Sequence, residues 1–376
     1  MAEPFKNMLS HKTIIAMSQH FKKHYKSFDE KGFVIDASEN FEELELKART
    51  QRITKTMIEY LPNEFEKAAD ILLKSLGSEL ADDLSDCGID EKGIAGWATM
   101  SLSYFVALKG KDHFELSMNL LKEMTKRASA EYDIRFFLHD QTEKTLKQLH
   151  EWVADDNQHI RRLVSEGTRP RLPWGMSLTV FIKDPVPVIA LLEKLKDDEK
   201  EYVRRSVANN LNDISKDHPK VVTKIAKQWL KNASIERVKL VRHACRSLIK
   251  NGDKDILAIF GYKAPQLKKA KISLASVDVV FGESLEFEFI LSSDAGKDQQ
   301  LMIDYIIHHQ KANGKTSPKV FKLRSITLKA NQEAVIKKRH AIKKITTRKY
   351  YAGKHQLEVV VNGESIGKKH FELLML

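Results

Sequence analysis

Arg162, Glu166, Arg169, Arg171 and Trp174 fall within residues 162–174, and their types and order suggest a chemistry before any element is assigned. Arg162 and Glu166 are four apart, so on a helix they share one face, either as a structural ion pair worth about a few tenths of a kcal/mol or as an arginine holding a carboxylate beside a ligand. Gly167 ends that helix, and Pro170 and Pro173 stiffen the segment beyond it, so that Arg169, Arg171 and the Trp174 indole are displayed with little backbone entropy left to lose, the alternative for Trp174 being a core residue that seals the next helix. Guanidinium groups hold phosphates, while a carboxylate and an aromatic face meet a cationic base. The combination suits DNA better than a small anion.

A second group lies downstream. Tyr202, Ser206, Asn209 and Asp213 are spaced to share a polar helix face, beside a buried stripe of Val203, Val207, Leu211 and Ile214. Upstream, Glu131 and Asp133 follow Ser129 at an expected helix start, where acids complement the helix dipole.

The elements that must position these residues are mostly helices up to residue 262. Periodic stretches run over Phe41 to Tyr60, Glu64 to Leu76, Phe114 to Lys126 and Val221 to Leu230. Leu61-Pro62-Asn63 stops one helix and offers Asn63 as cap for the next; Asp217-His218-Pro219 does the same further on. Three segments align on one pattern: Ile160-Arg161-Arg162-Leu163-Val164, Val203-Arg204-Arg205-Ser206-Val207 and Val241-Arg242-His243-Ala244-Cys245. Their offsets of 43 and 38 residues are those of HEAT-type helix pairs, which stack into an α-solenoid. After the linker Gly261-Tyr-Lys-Ala-Pro265 the period changes to two. Strands are expected at Lys271-Ile-Ser-Leu, Leu285 to Ile290, Leu301 to Ile307, Val320 to Leu323 and Leu357 to Val361, with hairpin turns at Asn313-Gly314 and Asn362-Gly363. The expected architecture is an all-α HEAT-like solenoid, residues 1–262, followed by an all-β immunoglobulin-like sandwich, residues 263–376, that lacks an inter-sheet disulfide.

Charge separates the two parts. Residues 263–376 hold 21 of the 63 Lys and Arg but 11 of the 51 Asp and Glu, a net +10 of the total +12. A basic domain on a nearly neutral one points to nucleic acid, although a merely solvated basic surface has the same composition. Its Lys337-Lys338-Arg339, Lys343-Lys344 and Arg348-Lys349 segments are candidates to grip a duplex from the side opposite the helices. Cys87 and Cys245 form neither a disulfide scaffold nor a zinc pattern, so no metal or cofactor is expected. No run of signal-peptide or membrane-span length occurs, which places the chain in the cytoplasm. Phosphate-binding loops, nucleophile elbows and zinc-protease motifs are missing, which weakens ATPase, dehydrogenase, hydrolase and metalloprotease readings. The remaining rivals are a DNA- or protein-binding HEAT scaffold without activity, and a nuclease or RNA-modifying enzyme.

With Glu131, Arg162, the loop Glu166-Gly-Thr-Arg-Pro-Arg-Leu-Pro-Trp174 and the segment Tyr202-Val-Arg-Arg-Ser-Val-Ala-Asn-Asn-Leu-Asn-Asp213 in view, the chain resembles the AlkC family of alkylpurine DNA glycosylases, relatives of AlkD. Ala2-Glu-Pro-Phe-Lys-Asn and Leu46-Lys-Ala-Arg49 extend the resemblance over residues 1 to about 260, and the last domain looks like the module carried by one AlkC subgroup. The resemblance implies excision of N3-methyladenine and N3-methylcytosine from alkylated double-stranded DNA without base flipping; no lysine nucleophile is needed, so no lyase activity is expected, and a monomer is expected. It implies that Glu131, Glu166, Trp174 and Asp213 surround the lesion with Arg162 in support; Arg169 and Arg171, as guanidinium groups, are expected to hold phosphates. A cationic base already weakens its glycosidic bond. Fixed carboxylates, Asp213 foremost, would stabilise the sugar charge that develops as it leaves.

Overall fold

The computed structural model describes residues 5–80, 88–268 and 270–375; Cys87 lies outside them. Two compact units are present, Met1–His218 with Ala233–Ala244, and Pro219–Asn232 with Cys245–Leu376.

Among its described residues the first unit is built of helices, with one isolated bridge between Leu76 and Ile94, and its repeat is visible in side-chain geometry as well as in sequence. Asn157 caps the helix Gln158–Gly167 by accepting from the His159 amide at 2.8 Å, and Ile160, Leu163 and Val164 form its fully buried stripe. Arg161 reaches back to the carbonyls of Asp155 and Asp156, at 2.9 Å each. Arg204, at the matching place in the helix Glu201–Ile214, reaches back to the carbonyls of Asp198 and Glu199 at 2.6 and 2.9 Å. The first arginine of these two motifs therefore fastens its helix to the preceding turn. Successive helical residues point about 100° apart, which leaves the second arginine, Arg162, for another face. Arg161 also makes a two-pronged bond to Asp198, tying one repeat to the next.

Two local expectations are corrected. The stretch from Phe41 is not one helix: a 3₁₀ turn, Phe41–Glu43, precedes the helix Leu46–Tyr60. Arg49 explains the break, because its buried guanidinium takes the Leu44 carbonyl at 2.9 Å and the Leu9 carbonyl at 2.7 Å, holding the intervening chain in a turn. Asn63 does not cap the next helix; Glu64 occupies that place with no capping bond from its side chain.

The second unit carries the sandwich. Its strands are β1 (Lys271–Leu274), β2 (Asp278–Val280), β3 (Ser284–Ser292), β4 (Gln299–Gln310), β5 (Thr316–Leu328), β6 (Glu333–Ala341), β7 (Gly353–Val361) and β8 (Glu364–Leu374). They form sheets ordered β1-β3-β6 and β2-β8-β7-β4-β5. Alternation decides what is inside: Leu285, Phe287, Phe289 and Leu291 from β3 meet Leu301, Ile303, Tyr305 and Ile307 from β4, and Leu357, Val359 and Val361 from β7. Asn362 and Gly363 both have positive φ, 48° and 79°, the two-residue turn that matches strand twist. Lys337, Lys338 and Arg339 stand on β6 opposite Glu288, Phe287 and Glu286 of β3, while Lys343, Lys344 and Lys349 are exposed, and Arg348 half-buried, in the loop between β6 and β7.

Candidate active site

Six side chains form a chain of alternating charge within the helical unit. Arg162 donates through Nη1 to Glu131 and, at 2.9 Å, to Ser129 Oγ; its Nη2 lies 3.6 Å from Glu166 Oε1. Arg169 donates through Nη1 to the same Glu166 oxygen at 2.6 Å and through Nε to Asp213 Oδ2 at 2.8 Å. Lys216 closes the series on Asp213 Oδ1 at 2.9 Å. Ser206 donates to Glu166 Oε2 at 2.6 Å, and the Arg162 guanidinium lies 5.2 Å from the centre of the Tyr202 ring. Three carboxylates and three cations alternate, so the array is formally neutral although most of it is buried.

Electrostatics keep Glu166 charged. Burial opposes ionisation of Glu166, but Arg162, Arg169 and the Ser206 hydroxyl outweigh it and hold its pKa below the usual carboxylate range. Burial also opposes the charge on Arg162, and Glu131 with Glu166 overcomes this, raising its pKa. Each Asp213 oxygen has one described donor. A carboxylate offers about four acceptor sites, so capacity remains for a ligand.

The loop beyond Glu166 is fixed from below by Arg135, which is fully buried. Its Nη1 bonds the Gly167 and Arg169 carbonyls at 2.8 Å each, and its Nε bonds the Met176 carbonyl at 2.9 Å. Burial, with Arg169 nearby, lowers its pKa to about 10, still charged at neutral pH. The loop so held presents Trp174, a residue 58% exposed, with its backbone at φ 66°. Lys47 donates to the Trp174 carbonyl. A bulky residue in left-handed backbone costs about 1–3 kcal/mol, which marks a display position rather than a packing one.

Sequence reasoning placed Glu131, Arg162, Glu166 and Asp213 at candidate positions, and the fold brings the four into one array. Arg169 is buried between Glu166 and Asp213, so both its described bonds serve carboxylates rather than phosphates. Arg171 pairs with Asp217 through two bonds of 3.0 and 2.9 Å on a partly exposed surface. Two participants were missed, Lys216 and Arg135. Lys216 had a signal, three residues beyond Asp213 on the same helical side. Arg135 had a stronger one: a single cation inside the apolar run Ile134-Arg-Phe-Phe-Leu138. Asp133 does stand at the start of a helix, Ile134–Asp140, but its side chain makes no capping bond there; it is buried, its Oδ2 accepts from Ser103 Oγ at 2.5 Å, and burial raises its pKa to about 7.

Fold and site together define a HEAT-like repeat protein with a carboxylate-bearing site and an immunoglobulin-like module. Residues 79–248 match the family model described as DNA alkylation repair enzyme, and residues 268–375 the one described as uncharacterised protein YhaZ, C-terminal Ig-like domain. The chain is 38% identical over 361 residues to protein YhaZ of Bacillus subtilis, covering 96% of each. It is also similar to the Pseudomonas fluorescens alkylpurine DNA glycosylase AlkC, solved bound to DNA containing an abasic site analog, at a TM-score of 0.85 and 34% identity over 99% of this chain and 100% of that one. The chain belongs to the AlkC family.

Trp174→Gly and Trp174→Ala both remove the indole, but only glycine relieves the left-handed backbone. The glycine variant should be the more stable of the two by about 1 kcal/mol in thermal or denaturant unfolding; equal stabilities would show that the loop carries no strain.

Proposed function

We propose that the protein is a monofunctional DNA glycosylase that hydrolyses the bond between deoxyribose and a cationic alkylated base, N3-methyladenine or N3-methylcytosine, in duplex DNA. Residues 1–262 serve as the catalytic, DNA-binding domain and residues 263–376 as an accessory DNA-binding domain. The observation that carries this reading is the linked set Glu131, Glu166 and Asp213, held in charge balance beside the displayed Trp174 loop.

Hydrolysis of a cationic nucleoside asks little of a general acid. The base takes the pair of electrons from the breaking bond and thereby becomes neutral, while the sugar acquires oxocarbenium character. The protein's task is to stabilise that sugar charge and to offer water to C1′. Asp213 is the residue we assign to both. Arg169 holds one of its oxygens, and Lys216, whose side chain is half exposed, holds the other. A DNA phosphate competes for Lys216 and bares that oxygen toward the sugar. Glu166 and Glu131 add negative potential, with Arg162 fixing both. Trp174 meets the sugar or the cationic base with its π face. Arg169 positions the two acids, and Arg171 is the partly exposed arginine that reaches phosphate by releasing Asp217. Because the carboxylates approach a bond that is already labile, the lesion need not leave the stack, and no lysine nucleophile or lyase step is required.

The direct test is single-turnover release of N3-methyladenine from methylated duplex in EDTA. Asp213→Asn should slow release by about 100- to 1,000-fold, the cost of removing one aligned electrostatic group. Absence of release by folded, DNA-binding wild type would make the protein a scaffold, and release unaffected by the substitution would remove Asp213 from the chemistry.

For the basic domain, the two candidate patches differ. Lys337 and Arg339 face Glu288 and Glu286 at 3.2 and 3.3 Å, which discounts their charge, whereas Lys343, Lys344 and Lys349 are exposed and Arg348 half-buried in the β6–β7 loop. Replacing Lys343, Lys344, Arg348 and Lys349 with alanine should reduce the salt slope of DNA affinity by about 0.9 for each phosphate no longer neutralised. The triple alanine variant at Lys337, Lys338 and Arg339 should reduce it less. Slopes unchanged in both would exclude this domain from binding.

A further inference from the structure

Below the Trp174 loop lies a cavity of about 190 Å³ whose walls include Tyr104, Tyr132, Phe136 and Trp174, with Met100 and Asp133 among the remainder. A neighbouring hollow of about 410 Å³ contains Glu131 and shares Met100, Tyr132 and Trp174 with it. The smaller cavity lies below the roughly 300–1,000 Å³ of pockets that enclose drug-sized ligands. It is too small for a nucleotide with sugar and phosphate and suited to a single flat ring system. Its Tyr104 and Phe136 rings lie 5.9 Å apart, centre to centre, and are tilted 59° to each other, a face-and-edge arrangement that can pack a planar guest.

We propose that this aromatic cavity is a product site, which takes up one neutral purine base after its release from the sugar. The inference rests on the glycosylase reading above. In that reaction the glycosidic bond breaks, its electron pair stays with the base and cancels the positive charge, water supplies hydroxide to C1′, and the remaining proton passes to solvent. The negative potential of Glu131, Glu166 and Asp213 that favours the cationic substrate therefore loses its hold on the product. An uncharged aromatic ring gains instead from stacking, and Trp174 and Tyr132 form a wall common to the hollow holding Glu131 and the aromatic cavity. Asp133 fits this role better than an ordinary carboxylate would. It is 5% exposed, bonded to Ser103, and burial raises its pKa to about 7, so near neutrality a large share of it is uncharged and able to donate a hydrogen bond to a ring nitrogen.

The experiment titrates free 3-methyladenine into the full-length protein and follows binding by calorimetry, beside Tyr104→Leu, Phe136→Leu and Asp213→Asn. Saturable binding by the wild type is expected, weakened about fivefold or more in each leucine variant through loss of one stacking ring, and unchanged in Asp213→Asn. Absence of saturable binding, or equal affinity in the wild type and both leucine variants, would overturn the proposal. So would slowed single-turnover excision in Phe136→Leu with free-base affinity intact, which would assign the cavity to a base still attached to DNA. Two leucine variants are used so that misfolding of one leaves the other informative. Release of base by a wild type that does not bind it free would sink this inference and leave the glycosylase reading standing; no release at all would sink that reading itself.

Discussion

The structure depends on the alternation of charge from Glu131 through Arg162, Glu166, Arg169 and Asp213 to Lys216. Three acids within bonding distance of shared cations cannot be gathered at a buried place by packing alone, because each would repel the next and give up its charge. Interleaved arginines remove that obstacle. The cost of desolvation is offset link by link, and removal of a central link such as Arg169 would leave Glu166 to Arg162 and Ser206 and Asp213 to Lys216 alone, where breaking a buried pair costs about 3–5 kcal/mol. The same arrangement accounts for the division of labour inside the repeated Arg-Arg pair. Arg161 fastens its helix to the preceding turn and to Asp198, and that rigid attachment lets Arg162 hold the site.

A second constraint is the backbone of residues 167–176. Arg135 gathers three carbonyls of that loop onto one buried guanidinium, and Lys47 takes a fourth, that of Trp174. Those bonds allow the loop to hold an exposed indole in left-handed backbone. Gly167 contributes through size: a Cβ there would sit 2.7 Å from Ile134 Cγ2, so the residue keeps its helix close against the one bearing Arg135. Site and scaffold are thus built from adjacent residues in the same two segments, with Arg135 facing inward and Glu131 facing the array.

Much of this was legible in the sequence because it is periodic or local. The repeat pattern, the change of period near residue 270, Asn362-Gly363 as a hairpin turn and the polar side of the helix holding Asp213 all arise from spacing. What escaped was the partner of each charge. Arg169 reads as a displayed phosphate ligand because a proline-rich loop displays what it carries, yet its guanidinium is turned inward onto Glu166 and onto Asp213, 44 residues away in the chain. Asp133 reads as a helix-start acid because its position in sequence is right; its actual partner, Ser103, lies 30 residues upstream and no spacing rule connects them. The break before Leu46 was hidden for the same reason, since Arg49 makes it through the Leu9 carbonyl, 40 residues away.

In the proposed mechanism carboxylates held in place beside the sugar, rather than an acid at the base, favour departure, so that the charge of the lesion itself must do the work of making the base leave. Single-turnover release from matched duplexes containing either cationic N3-methyladenine or neutral hypoxanthine, measured in EDTA, tests it most directly. The account predicts rapid release of the cationic base and background release of the neutral one. Comparable release of both would contradict it, because a neutral purine needs a proton donor at the base that this array does not provide.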